Sequence, residues 1–118
     1  MSILPFDDRD GVIWYNGEMV NWRDANFHVL SHALHYGSCV FEGQRAYGGK
    51  IFKLNQHSER LIKSGEILGM DVPYTADELN AAADAVVEAN GLVDAYVRPV
   101  AWRGAEMMGV ATKGTKIH

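Results

Sequence analysis

SHALHYGSCVFEGQR, residues 31–45, sets two histidines, a tyrosine, the chain's one cysteine, a phenylalanine, a glutamate and an arginine close together. The stretch changes character midway. Ser31 can cap a short helix whose turn ends at Gly37, and Ser38–Tyr47 then reads as a strand. A helix stop that feeds straight into a strand makes a crowded corner. Such a corner either holds a ligand or packs a few satisfied polar groups, and the local pattern favours neither.

Upstream, VIWYNGEMV (12–20) reads as two strands about Asn16-Gly17, a dipeptide suited to the positive backbone angles of a tight hairpin. Residues 1–11, with Pro5 and the acidic run DDRD, read as a flexible lead-in, and 21–26 as a polar connection. Downstream, a second hairpin is expected with Gly48-Gly49 as its turn and Ile51-Phe52 on the return. Asn55 is placed to cap a helix running to about Leu68 and stopped by Gly69, its apolar stripe formed by Leu61, Ile62, Gly65 and Leu68. Thr75 and Glu78 make a capping box for a second helix. Leu79, Ala82, Ala83, Val86 and Val87 follow its buried face, and Asn90-Gly91 ends it.

AYVRPVAWR (95–103) then reads as one strand, with Tyr96, Arg98, Val100 and Trp102 on one face and Ala95, Val97, Pro99 and Ala101 on the other. Pro99 has no ladder donor, which puts this strand at an edge or a bulge. Glu106–His118 finds little to pack with. The expected architecture is therefore α+β: a mostly antiparallel sheet from two hairpins and a later strand, covered by two helices. One domain spans 12–104, with 105–118 leaving it.

Composition narrows the function. A chain of 118 residues with 47% hydrophobic and 22% charged residues has the make-up of an ordinary globular domain. A net charge of -4 speaks against a general nucleic-acid or anionic-membrane surface but permits a local arginine cluster. Neither a leader segment nor an apolar run of membrane-spanning length is present, so a cytoplasmic protein is the expectation. Cys39 alone builds no disulfide and reads as a small buried hydrophobe rather than a nucleophile. His28, His32 and His35 are spaced so that the last two can ligate a metal on a helix; packing or capping fits them better, and no metal site is expected.

Two arginine settings invite an anion. Arg60 borders the buried face of its helix with His57 and Ser64 nearby; it can grip a phosphate with two parallel hydrogen bonds or pair with Glu59 or Glu66. Arg98 stands between Tyr96 and Trp102, which suits a carboxylate-bearing substrate or a rim salt bridge. Phe41 and Arg45 repeat the aromatic-plus-arginine pairing on a second strand. These patterns describe an α+β domain with a place for a carboxylate or phosphate, without naming a reaction.

The run WYNGEMVNWRDANFHVLSHALHYGSCVFEGQRAY resembles the amino-terminal part of branched-chain amino acid aminotransferases, which are fold-type IV, pyridoxal phosphate-dependent enzymes. The likeness continues through HSERLIKSGEILGM and AYVRPVAWRG to MMGV. The resemblance implies that Arg60 binds the phosphate of pyridoxal 5'-phosphate. It implies that Tyr96 and Arg98 meet substrate carboxylates, Arg98 taking the side chain of glutamate, and that Phe41 walls the apolar side-chain pocket. By the same resemblance Tyr36 is expected to reach the neighbouring subunit's site, implying a homodimer, Arg45 to assist with acidic substrates, and Met108 and Val110 to begin an interdomain loop. Amino acids and 2-oxo acids are the implied partners. Family members are longer, and their second domain supplies the lysine that forms the Schiff base. None of Lys50, Lys53, Lys63, Lys113 and Lys116 matches it, so this chain is expected to be the small domain alone, without a catalytic residue and inactive as it stands. D-amino acid aminotransferases and aminodeoxychorismate lyases share the class, and a non-enzymatic binding or assembly module is the reading from outside it.

Overall fold

The computed structural model describes residues 3–118. Two strands, β1 (Val12–Tyr15) and β2 (Glu18–Asn21), form the first hairpin, with Asn16 and Gly17 at φ 50° and 92° in its turn. Helix α1 (His32–Tyr36) follows and stops at Gly37, as the spacing suggested; Ser31 is its N-cap residue but makes no side-chain capping bond. The lead-in is tied down from Pro5 onward. Arg23 bridges Asp8 at 2.8 Å and Asp10 at 2.7 Å, and the Trp22 indole donates to Phe6 O. Met1 and Ser2 lie outside the described residues.

Both long strands expected from the sequence are divided. Ser38–Tyr47 becomes β3 (Cys39–Phe41) and β4 (Gln44–Tyr47), and Ala95–Arg103 becomes β6 (Ala95–Val97) and β7 (Val100–Trp102). β3 pairs with β7 and β4 with β6, both antiparallel, in a register unchanged across the break: Phe41 faces Val100, and Gln44 faces Val97. A single bond, Glu42 N to Pro99 O at 3.0 Å, spans the gap. Pro99 has no N–H to return it, so the ladder thins there without slipping. The second hairpin closes with β5 (Lys50–Ile51) on the outer edge of β4.

Helix α2 (Leu54–Ile67) is entered through Lys53 in a left-handed conformation (φ 52°), not through a cap at Asn55. The Asn55 amide instead donates to Glu59 and its carbonyl accepts from Asn80, tying α2 to the next helix. The buried stripe of α2 is Ser58, Leu61 and Gly65, while Leu68 is 48% exposed. A Cβ at Gly65 would sit 3.0 Å from Met70 O, so the fully buried Met70 folds back against a glycine it requires. Helix α3 (Ala76–Ala89) carries the complete Thr75–Glu78 capping box and buries Ala83 and Val87. At its end Asn90 donates to Val12 O and accepts from Val12 N, stitching α3 to β1.

α2 packs on α3, β3 and β7, and α3 packs on β1 and β6. The core lies between the helices and one face of the sheet, at Ala46, Leu61, Met70, Ala83, Val87 and Ala101. Residues 116–118 return along β7 through Trp102 N to His118 O, His118 N to Trp102 O and Gly104 N to Lys116 O. The tail expected to find little packing is in fact laid against a strand. No described helix is long and apolar enough to cross a membrane.

Candidate functional site

Alternation along the broken strands decides which side chains meet. On β3 and β4, Glu42, Gln44 and Ala46 are buried toward the helices, and Phe41, Arg45 and Tyr47 point away; on β6 and β7 the exposed set is Tyr96, Arg98 and Val100. Phe41, Arg45, Tyr96 and Arg98 therefore share the face that the helices leave open. Arg45 and Tyr96 are direct cross-strand partners.

Arg98 organises this face. Its guanidinium lies 4.4 Å from the Phe41 ring centroid, and Nε and Nη2 donate to Tyr96 Oη at 3.1 and 2.9 Å. No carboxylate among the described residues is within ion-pair distance of it, so the rim salt bridge is not what forms. Tyr96 can lie flat across the neighbouring strand because residue 43 is glycine: a Cβ there would stand 3.0 Å from Tyr96 Oη and 3.3 Å from its Cε2. An unpaired guanidinium, a hydroxyl and an aromatic ring, open on one side, can receive a carboxylate or shelter an apolar side chain. Trp102 closes the far end of the face, with Tyr15, Phe27 and His118 around it at ring separations of 5.5, 6.0 and 5.8 Å.

Arg60 is approached from the other face. Its Nε and Nη2 donate to the two oxygens of Glu42, both at 2.8 Å, and His57 Nδ1 lies 2.7 Å from Glu42 Oε1. The expected helix-surface partners Glu59 and Glu66 are not used. Glu42 is 4% exposed, and the Arg60 guanidinium holds its carboxyl below the usual carboxylate range against the opposing effect of burial. Glu42 was not singled out in the sequence. An acid on the inward side of a strand, next to Val40 and Gln44, was the signal: such a group must find a cation. The outward Nη1 of Arg60 has no partner among the described residues, which leaves one edge of the guanidinium free for an oxyanion.

Tyr36 and Val110 meet at a third place. The buried His32 bonds Ser38 Oγ through Nδ1 and Val110 O through Nε2, and its ring lies 4.6 Å from that of Tyr36. Tyr36, Met108 and Val110 all remain exposed. His35 bonds Val29 O and His28 accepts from Leu30 N, so the histidines have structural partners; no metal-ligating cluster exists among the described residues. Cys39 is exposed rather than buried, although partial burial still raises its thiol pKa.

The family described as Amino-transferase class IV matches residues 39–118, more than half of the chain. The chain belongs to the class IV aminotransferases. Branched-chain-amino-acid aminotransferase of Pseudomonas aeruginosa is 53% identical over 119 residues, covering 98% of this chain and 39% of that protein. The crystal structure of the Escherichia coli branched-chain amino acid aminotransferase superposes with a TM-score of 0.87 at 42% identity, over 92% of this chain and 38% of that one. The T.th. branched-chain enzyme complexed with N-(5'-phosphopyridoxyl)-L-glutamate gives a TM-score of 0.84 at 41% identity, over 92% and 39%. This class IV aminotransferase chain thus matches the amino-terminal domain of such structures and spans about two fifths of its relatives' length.

Proposed function

We propose that this chain is the small-domain half of a pyridoxal phosphate-dependent branched-chain amino acid transaminase, which moves the amino group of leucine, isoleucine or valine to 2-oxoglutarate. The observation that carries the reading is Arg98, held between the Phe41 ring and the Tyr96 hydroxyl on an open face, with no counter-charge among the described residues. A transaminase of this specificity must accept an isobutyl group and a carboxyethyl group in one place. Phe41 and Val100 supply apolar surface for the first, and Arg98 with Tyr96 meets the carboxylate of the second only when it is present. Arg45 adds positive charge at the same rim.

Arg60 suits the cofactor phosphate, because its free edge projects from a guanidinium already fixed by Glu42. When bound, the cofactor supplies the electron sink for amino transfer. The chain's own residues bind and orient. Its lysines, Lys50, Lys53, Lys63, Lys113 and Lys116, are all exposed, and none is bonded to the Arg98 face. The domain 12–104 alone is therefore inactive and works with a second domain reached through 105–118. Tyr36 and Val110, anchored together by His32, extend toward a second copy in a homodimer, and the protein acts in the cytoplasm.

Reductive trapping tests this division of labour. The 118-residue chain mixed with pyridoxal phosphate is expected to give no leucine turnover and, on borohydride reduction, no site-specific adduct; turnover, or an adduct confined to one lysine, would overturn the inactive-half reading. Assaying the chain joined to a cofactor-bearing domain with leucine, D-alanine and aminodeoxychorismate decides the substrate class. Preference for either of the last two would overturn the branched-chain reading.

A further inference from the structure

The ion network on the helix side of the sheet lies away from the Arg98 face and joins a strand carboxylate to two side chains of one helix. Glu42 lies at the break between β3 and β4, where its own N–H holds the single bond to Pro99 O. Its carboxylate takes Nε and Nη2 of Arg60 in a fork, and His57, one helical turn before Arg60, fixes Oε1 from the other side. Glu42 is 4% exposed, whereas the Arg60 side chain is 67% exposed. The network therefore has an inner end set in the sheet and an outer end facing solvent.

We propose that Glu42, braced by His57, is the positioning residue for Arg60: it occupies the inner edge of the guanidinium and so aims the outer edge, Nη1 with the remaining Nη2 hydrogen, at a phosphate ester. This rests on the reading of Arg60 as the cofactor-phosphate residue. A free arginine at this site would sample many rotamers, and each binding event would have to order them. Glu42 removes that cost in advance. The opposite role is also defined by the geometry: a carboxylate that competes with phosphate for the same guanidinium, and must leave when phosphate arrives. The fork uses only one edge, which favours support over competition.

Pyridoxamine 5'-phosphate, with pyridoxamine as the control lacking phosphate, distinguishes these cases without forming imines on surface lysines. In the wild-type chain, ¹⁵N–¹H spectra are expected to show the Arg60 Nη resonances shifting on titration with the phosphorylated probe while the Nε–H signal stays in place. Movement of Nε–H to a solvent-exposed position would mean that Glu42 is displaced, and would overturn the proposal without any variant. Glu42→Gln is expected to reduce the preference for the phosphorylated probe about tenfold, the loss typical when the support of a ligating group is removed. Glu42→Asp is expected to recover part of that preference. An unchanged preference in Glu42→Gln, alongside its loss in Arg60→Met, would overturn the proposal and leave the Arg60 reading standing. If Arg60→Met binds both probes as wild type does, the Arg60 reading itself fails. Thermal unfolding of each variant separates a folding defect from a binding one, and the wild-type spectra decide the matter if Glu42→Gln does not fold.

Discussion

Arg98 directs two of its N–H groups at one neighbour, Tyr96 Oη, and leaves the rest of its guanidinium on an open surface beside the Phe41 ring. That arrangement depends on a residue with no side chain. Gly43→Ala places a methyl 3.0 Å from Tyr96 Oη, so the ring must lift off the strand and take the hydroxyl away from Arg98. The expected result is an intact fold with a changed Tyr96 environment, seen as a shifted tyrosine signal in aromatic NMR with little change in melting temperature. On the buried side, Glu42 makes stability pH-dependent. Its folded pKa lies below the ordinary value, so the deprotonated form stabilises the fold above the unfolded value of about 4.3, and that contribution is lost as pH falls through the lower folded value. Melting temperatures measured from about pH 7 down to about pH 3 should fall more steeply at the acid end for wild type than for Glu42→Gln. Parallel curves would contradict the assignment.

At the scale of elements, α3 was legible almost completely and α2 in its extent though not in its cap or its full stripe, because helix signals are local. The capping box of α3 and its stripe through Ala83 and Val87 lie in adjacent turns of one sequence and need no partner to be recognised. Thr75→Ala should cost about 1 kcal/mol, a fall of about 4 °C in melting temperature, measurable by circular dichroism. Met70→Ala, which empties a fully buried site against Gly65, should cost about 2–5 kcal/mol. What sequence did not show were contacts made across the sheet. Alternation placed Phe41, Arg45, Tyr96 and Arg98 on matching faces, but that the two long strands pair with each other, and break together at Glu42-Gly43 and Arg98-Pro99, depends on a register between segments about fifty to sixty positions apart. The Glu42–Arg60 fork joins a strand to a helix across 18 positions, and it was hidden because helix spacing pointed to Glu59 and Glu66. Asn55 misled for a related reason: it has the chemistry of a cap, but α3 offers it Asn80 as a partner. The ligand roles of Arg60 and Arg98 came from resemblance, not from spacing.

For the molecule as a whole, one face of the sheet carries the helices and the other carries Phe41, Tyr96, Arg98 and Val100 without cover. Two shallow clefts lie elsewhere, one between the β4–β5 hairpin and α3 at Lys50, Asp84 and Leu92, the other at Asp71, Arg103 and Lys116. The candidate site is a wall rather than a pocket, and a wall needs an opposing surface to enclose a substrate. Met107, Met108 and Val110 add further exposed apolar surface. In isolation the chain is expected to self-associate, and sedimentation showing a clean monomer at high concentration would contradict this. The central claim is that Arg98 serves acidic but not branched substrates within one shared space. The most direct measurement is the KM for glutamate and for leucine, before and after Arg98→Met, in a polypeptide joining this chain to the cofactor-bearing domain of its family. The account predicts a rise for glutamate on the order of a hundredfold, with leucine changed only a few-fold. An equal change for both substrates, or none for glutamate, would contradict it.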